Sequence, residues 1–140
     1  MEIEPVLVDT GPLIALYESK DPHHKACRDQ AKLLPVGKAY TCWPVLTEAA
    51  YRLRRYPTER AKLFQAVRDG LYVLLPLGVN DIADIEAVFQ TYYDQDVDLA
   101  DACLVHLANR EKIQRVFTLD RRHFSVYRMA DGQPFQLLPN

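Results

Sequence analysis

The chain has 140 residues, of which 49% are hydrophobic and 26% are charged, and its formal net charge is −2. This length suits one domain with a buried core, and the composition excludes a disordered chain. The small net charge argues against a strongly basic nucleic-acid-binding surface but is compatible with a local basic groove. We therefore expect a single domain over residues 1–140.

The cysteines and the first residues predict a protein of a reducing compartment. Cys27, Cys42 and Cys103 share no C-x-x-C spacing and lie in apolar stretches, which favours free buried thiols over a disulfide. Residues 1–5 lack the basic and apolar regions of a secretion signal, and no apolar run approaches the ~18 residues that a membrane span needs. A cytoplasmic protein without a membrane segment is expected.

Short strands alternate with helical segments along the chain. Runs of β-branched and aliphatic residues predict strands at 6–8, 39–42, 71–75, 115–118 and 135–138. Capping residues and helical periodicity predict helices from Asp21–Pro22 to about Leu34, from Pro44, from Thr58 to Gly70, over 82–92 and over 99–108. The expected core-facing residues include Ala61, Phe64 and Val67 in the third helix and Ile82, Ile85 and Phe89 in the fourth.

This alternation predicts an α/β fold with a mainly parallel sheet of about five strands and helices on both faces. Ligands of such sheets bind at the carboxyl ends of the strands, near the point where the strand order reverses. Functional side chains are therefore expected at that edge.

Two aspartates follow predicted strands, Asp9 directly and Asp120 after one intervening residue. Asp9 follows the first strand, and Asp120 follows the fourth strand just before a short helical turn. Each of them also fits the N-cap of the helix that comes next, which is the commoner role for an aspartate at such a position. Position alone therefore leaves both interpretations open.

Further acids lie on two of the predicted helices. Glu48 lies at the border of an apolar stripe, where a glutamate is usually only solvated. Asp98 fits the N-cap of the helix over 99–108, and Asp101 fits its third position, where acids suit the helix dipole. The apolar neighbours of Asp101 favour a buried position, in which a carboxylate needs a partner such as a cation.

Together these acids predict a metal centre. Carboxylates that converge on one pocket repel each other unless a divalent ion neutralises them. Ligation by oxygen alone, without nearby Cys or His, favours Mg²⁺ or Mn²⁺ over zinc. Such a centre can activate water against a phosphodiester, so the residues predict metal-dependent phosphodiester hydrolysis.

The motifs around these acids resemble, in order, those of the PIN-domain ribonucleases, and most closely the VapC-type toxins of bacterial and archaeal toxin–antitoxin pairs. The matching segments are VDTGPLIAL at 8–16, Glu48, DLADA at 98–102 and TLDRRHF at 118–124. The resemblance implies a Rossmann-like PIN fold and an endoribonuclease that depends on Mg²⁺ or Mn²⁺. It also implies a homodimer and inhibition by a small cognate antitoxin protein.

The resemblance also implies roles for individual residues. The family's catalytic and metal-binding acids map onto Asp9, Glu48, Asp101 and, less uniformly, Asp120. The residues expected to support the site are Thr10, Asp98 and Thr118. Arginines that could contact RNA phosphates are Arg52, Arg54, Arg55, Arg121 and Arg122. For any one of these arginines, a solvated helix end or a contact with an acidic partner is the alternative interpretation.

Other functions of acidic sites fit the sequence less well. An EF-hand beginning at Asp94 would need glycine where Leu99 stands and glutamate where Val105 stands. A haloacid-type phosphatase would need an aspartate at Gly11, and a receiver domain would need a lysine after its last strand. A non-catalytic PIN-like module that binds metal or RNA, and a free-standing RNA-processing nuclease without an antitoxin, remain alternatives.

Overall fold

The protein is described by a computed structural model over residues 4–140. Residues 1–3, which contribute to the prediction that no secretion signal is present, lie outside this range. The elements in chain order are β1 (Val6–Val8), α1 (Thr10–Tyr17), α2 (His24–Ala31), β2 (Ala39–Thr41), α3 (Trp43–Arg52), α4 (Pro57–Arg68), β3 (Val73–Leu74), a 3₁₀ turn (Val79–Asp81), α5 (Ile82–Thr91), α6 (Leu99–Glu111), β4 (Arg115–Phe117), α7 (Arg121–Phe124) and β5 (Gln136–Leu138).

The five strands form one parallel sheet with the order β3-β2-β1-β4-β5. Val6 of β1 is in register with Ala39 of β2 on one side and with Arg115 of β4 on the other. The first three strands therefore add in one direction, and the chain then crosses back to β4. Right-handed crossovers put α1 to α4 on one face of the sheet and α5 to α7 on the other. The predicted α/β fold is confirmed; β1 has the expected bounds, and the other four strands are one to three residues shorter than expected.

The core surrounds β1 and α6. All three residues of β1 are buried, as are the nine consecutive residues 100–108 of α6. The sequence predicted the burial of α6 because nearly every face of the helix is apolar. Cys27, Cys42 and Cys103 are buried free thiols, as expected. None of the helices within residues 4–140 combines the length and the apolar character that a bilayer crossing requires.

Two predicted helix starts are wrong. The helix predicted from Asp21–Pro22 is α2, and it begins at His24. The Asp21 carboxylate accepts the backbone N–H of His23 in a turn rather than capping a helix at Pro22. The helix predicted from Thr58 is α4, and it begins at Pro57, which occupies the first helical position. Thr58 therefore lies inside the helix and does not cap it.

The packing faces of two helices also differ from the prediction. In α4 the buried residues are Leu63 and Ala66, whereas Ala61 and Phe64 are exposed. In α5 no residue is fully buried, and Ile82, expected in the core, is 56% exposed. Both helices have the apolar periodicity expected of amphipathic helices, but the periodicity does not tell how much of that face the rest of the chain covers.

Candidate active site

Asp9 sits where β1 ends and α1 begins. Its backbone is extended, so that its side chain turns back over the first turn of α1, where Oδ1 accepts the backbone N–H of Thr10 at 2.8 Å. Its other oxygen, Oδ2, accepts the hydroxyl of Thr118 at 2.7 Å. The side chain is buried, with the residue 6% exposed. Asp9 is therefore both the N-cap of α1 and a carboxylate at the carboxyl edge of the sheet.

Thr118 joins the ends of the two central strands. Its hydroxyl donates to Asp9 Oδ2 and accepts the backbone N–H of Asp120 at 2.9 Å. Close packing of the two turns requires a small residue at position 11, since a Cβ on Gly11 would lie only 3.3 Å from Leu119 Cβ. The turn after β1 and the turn after β4 are thus held together at the switch point of the sheet.

The first turn of α6 supplies two more acids. Asp98 is the N-cap of this helix, and its Oδ1 accepts the backbone N–H of Asp101 at 2.8 Å. Asp101 is buried, and its Oδ2 accepts a hydrogen bond from the hydroxyl of Tyr127 at 2.9 Å. Tyr127 is itself fully buried, so it fixes the direction of this carboxylate from the core side.

Asp120 caps the short helix α7. Its Oδ1 accepts the backbone N–H of His123 at 3.1 Å, and its Oδ2 lies 2.9 Å from Nδ1 of the same histidine. The arginines between them, Arg121 and Arg122, are exposed on the outside of this turn. The cap role anticipated for Asp120 is present, together with an imidazole at its carboxylate.

The four predicted acids line one open pocket of about 480 Å³. Its walls are Asp9, Thr10, Gly11, Ile14, Asp21, Glu48, Arg52, Asp98, Asp101, Leu119 and Asp120. Arg52 is the one predicted RNA-contacting arginine on this wall. Arg54, by contrast, stacks its guanidinium over the ring of Tyr51, with 4.2 Å between the guanidinium carbon and the ring centroid.

Burial and the charges of neighbouring acids raise the pKa of Asp9, Glu48 and Asp101. Burial raises the pKa of Asp9 to about 6, with a further contribution from the charges of Asp120 and Asp98. Burial, followed by the charges of Asp9 and Asp98, raises the pKa of Asp101 to about 8. Burial also raises the pKa of Glu48, an effect that neighbouring Arg52 partly offsets. These carboxylates lack enough positive charge around them to ionise freely, so a cation is the expected partner.

The donors in the pocket fit a divalent cation. Thr10 Oγ1 is buried in the pocket wall and makes no hydrogen bond within the 4–140 range, although it lies near enough to Glu48 to favour that group's charged form. Ligand atoms of Asp101, Asp120 and His123 lie within 4.8 Å of one another. The expectation of a site without a nearby histidine is therefore wrong, because the helical turn of α7 returns His123 to Asp120.

Tyr127 and Asp21 belong to the site but were not predicted. Tyr127 is 26 residues from Asp101, and its contact depends on how the chain after α7 packs, so no local pattern could reveal it. Asp21 reaches the pocket wall from the turn between α1 and α2, and its Asp-Pro signature indicated only a helix cap.

A larger cavity of about 730 Å³ lies between α5, α6 and residues 128–132. Its acid Asp81 is already neutralised, because His106 Nε2 lies at 2.8 Å and an Arg110 nitrogen at 3.1 Å. Hydrogen bonds from the Gly78 backbone and His106 lower the pKa of Asp81 to about 2. This cluster ties α6 to the 3₁₀ turn and needs no ion. His106 is thus a buried residue with its polar atom paired, in the core of the fold rather than at the acidic pocket.

The sequence model of the PIN domain matches residues 6–129 of this chain. The chain belongs to the PIN-domain family. Ribonuclease VapC26 of Mycobacterium tuberculosis is 30% identical to this PIN domain over 139 residues, which cover 96% of this chain and 100% of that protein. The predicted resemblance to VapC-type PIN domains is confirmed. The extent of the domain over all of residues 1–140 stays a prediction.

Solved structures share the fold of this PIN domain at lower identity. Mycobacterium tuberculosis VapC20, a toxin that cleaves the sarcin–ricin loop, superposes with a TM-score of 0.72 at 19% identity, over 83% of this chain and 90% of that one. FitAcB from Neisseria gonorrhoeae gives a TM-score of 0.59 at 14% identity, over 83% of this chain and 88% of that one. At these identities the two structures establish the common fold alone.

Proposed function

We propose that this PIN domain is an endoribonuclease that hydrolyses RNA phosphodiester bonds at the acidic pocket and depends on Mg²⁺ or Mn²⁺. The observation that carries the proposal is the convergence of Asp9, Glu48, Asp101 and Asp120 on one pocket at the switch point of the sheet. The raised pKa values of Asp9 and Asp101 indicate that this pocket is built around a missing positive charge. Membership of a family that includes a named ribonuclease supplies the reaction.

Each acid has a proposed role. Asp9 and Asp101 are the principal metal ligands, because each keeps one oxygen fixed by a neighbouring hydroxyl. Glu48, which also lines the pocket, holds the ion or orients the attacking water. Asp120 serves a second ion or binds through water. When bound, the ion would neutralise charge on the phosphoryl group and lower the pKa of water.

Hydrogen bonds to the acids keep them in position. Thr118 holds Asp9 against the turn that carries Asp120, and Tyr127 holds Asp101. Asp98 supports the same helix start by capping it. Such neighbouring donors orient metal ligands and contribute to metal affinity.

The arginines are the proposed contacts for the RNA backbone. Arg52 lines the pocket, so it is placed to meet a phosphate next to the scissile bond. Further contacts along the RNA chain would come from exposed arginines just after α3 and on α7. These are Arg54, Arg55, Arg121 and Arg122. Phosphate contacts of this kind position RNA without reading its sequence.

We further propose that the protein is the toxin of a toxin–antitoxin pair, a homodimer held inactive by a small antitoxin. The support is the 30% identity to VapC26 and the shared fold with VapC20, which is a toxin. A free-standing nuclease is the competing possibility. Expression in a host cell separates the two, because a toxin arrests growth, whereas normal growth with an active enzyme contradicts the toxin proposal.

Cleavage of a mixed cellular RNA pool tests the catalytic proposal. Purified protein should release discrete fragments in Mg²⁺ or Mn²⁺ and none in EDTA. Binding of RNA and metal without any cleavage would contradict the proposal and favour a non-catalytic PIN-like module.

A further inference from the structure

We propose that His123 is a direct ligand of the metal ion, so that this site has a mixed nitrogen and oxygen donor set and prefers Mn²⁺ to Mg²⁺. The inference rests on the proposed metal site and deepens it by assigning a ligand and a metal preference. Its first support is the cluster itself, in which ligand atoms of Asp101, Asp120 and His123 lie within 4.8 Å of one another. Two ligands of one ion with bonds of ~2.1 Å lie at most about 4.2 Å apart, so little movement is needed.

The imidazole is turned towards the acids. His123 Nδ1 lies 2.9 Å from one oxygen of Asp120 and 3.1 Å from the other. A cation bound to this carboxylate would therefore meet the ring nitrogen as well. A neutral imidazole can bind metal through either nitrogen, with its proton on the other one.

The ring is also held in place by the same residue that orients Asp101. His123 stacks on Tyr127, with ring centroids 6.2 Å apart and planes 21° apart, and the Tyr127 hydroxyl donates to Asp101 Oδ2. Asp120 is fixed in turn by the backbone N–H of His123 and, through its own N–H, by Thr118. One side chain, Tyr127, thus contacts two of the three donors, and the third is fixed by its neighbours.

An additional polar atom in the pocket indicates that the cluster expects a ligand. Thr10 Oγ1 is buried in the wall that Asp101 and Asp120 share. Within the range 4–140 it makes no short hydrogen bond, although it lies near enough to Glu48 to favour the charged form of that acid. A bound ion with its waters would satisfy this hydroxyl.

The donor set decides the metal preference. Carboxylate and water oxygens suit Mg²⁺ and Mn²⁺ alike, whereas an imidazole nitrogen favours first-row transition metals. A histidine ligand therefore strengthens Mn²⁺ binding and leaves Mg²⁺ binding nearly unchanged.

Pulsed electron paramagnetic resonance of the Mn²⁺-loaded protein tests the inference without RNA. The spectrum should contain the coupling of Mn²⁺ to a directly bound ¹⁴N nucleus, and protein grown with ¹⁵N-histidine should replace it with the ¹⁵N coupling. Because this measurement uses the wild-type chain, it does not depend on how a variant folds. Mn²⁺ binding without a nitrogen coupling would overturn the inference and leave the proposed nuclease standing.

The variant His123→Gln identifies the histidine and separates a ligand from a positioning residue. Glutamine can still donate a hydrogen bond to Asp120 but has no imidazole nitrogen. We expect loss of the nitrogen coupling and an Mn²⁺ affinity about tenfold lower, with less than about a threefold change for Mg²⁺. The matched control His23→Gln, on an exposed residue, should change neither. A coupling that persists in His123→Gln, or equal losses for both metals, would contradict direct ligation.

Discussion

At the scale of single residues, Asp9 combines two roles that its sequence position presents as alternatives. One carboxylate oxygen caps α1 through the Thr10 N–H, while the other is held by Thr118 in the acidic pocket. The cap accounts for its position after the strand but not for its burial among other acids. A cap exposed to solvent would keep an ordinary pKa, whereas burial raises the pKa of Asp9 to about 6.

The raised pKa values predict that the metal-free protein is less stable at pH 8 than at pH 5. For Asp9 and Asp101 the folded-state pKa lies above the ordinary value of 3.8, so the folded state binds more protons than the unfolded state. Stability should therefore fall from about pH 4 to about pH 8, by on the order of 3 kcal/mol from Asp9 alone.

Denaturant unfolding in EDTA at pH 4 to 8 measures this fall. Mn²⁺ at pH 8 should restore the loss, because the ion binds the charged carboxylates. The double variant Asp9→Asn with Asp101→Asn should flatten the pH dependence. An equally steep fall in that variant would show that other groups cause it.

The Tyr127 hydroxyl is predicted to strengthen metal binding. Tyr127→Phe keeps the ring in the core but removes the hydrogen bond that orients Asp101. We expect metal affinity to fall by about tenfold, as for other donors that orient a metal ligand. Isothermal titration with Mn²⁺ measures the change, and Tyr93→Phe, on an 84% exposed tyrosine, is the control. Equal affinities for the two variants would contradict the role.

At the scale of elements, the sequence was sufficient to place the acids at one edge of the sheet. Asp9 and Asp120 follow predicted parallel strands, and parallel strands end at the same edge. The start of α6 was also clear, because the capping residue Asp98 precedes a mostly apolar helical segment. Contacts set by the path of the chain between elements were not accessible, which is why the contact of Tyr127 with Asp101 was missed. The spacing of Asp120 and His123, by contrast, already made these two residues neighbours.

The errors in the helices have a related cause. Asp21 and Thr58 are good capping residues, but a cap forms only where the chain direction allows it, and Pro57 starts α4 one residue earlier. The exposure of Ile82 on α5 depends on what covers that helix, which periodicity does not record. An apolar face left open in this way is compatible with the expected homodimer, which stays a prediction.

We expect Thr118 to support cleavage activity, because its hydroxyl links Asp9, at the end of β1, to Asp120, beyond the end of β4. Thr118→Val removes both hydrogen bonds of a fully buried hydroxyl and should cost about 1–3 kcal/mol of stability. Thr41→Val is the matched control, since its equally buried hydroxyl on β2 donates to Val8 O rather than to an acid. Both variants should lose stability, but only Thr118→Val should also lose about tenfold or more in cleavage rate. Similar rates in both would restrict Thr118 to a structural role.

At the scale of the whole molecule, the acidic pocket has Arg52 on its wall, and the net charge of the chain is only −2. The acidic pocket would repel RNA by itself, so phosphate contacts have to come from arginines at its rim. We therefore expect RNA affinity to fall as the salt concentration rises. We also expect cleavage to require the metal ion, whereas RNA affinity does not depend on it.

Replacing Arg54 and Arg55 with glutamine tests whether these two arginines contact RNA phosphates. Two lost phosphate contacts should reduce the slope of log affinity against log salt by about 1.4. The control is Lys112→Gln with Arg115→Gln, which changes two charges at the amino end of β4, the opposite edge of the sheet. Fluorescence anisotropy with a non-cleaved RNA measures both slopes. An unchanged slope after loss of Arg54 and Arg55 would assign these residues to another surface.

The most direct test of the account is the single-turnover RNA cleavage rate of Asp9→Asn, measured beside its unfolding free energy in EDTA at pH 8. Asparagine can accept from the Thr10 N–H and donate to the Thr118 hydroxyl, and it removes a buried charge. We expect the cleavage rate of Asp9→Asn to be about 10²–10³-fold lower than that of the wild type, in a protein at least as stable. Asp131→Asn, on an exposed loop, should cleave normally. Full cleavage by Asp9→Asn would contradict the assignment of the acidic pocket as the active site.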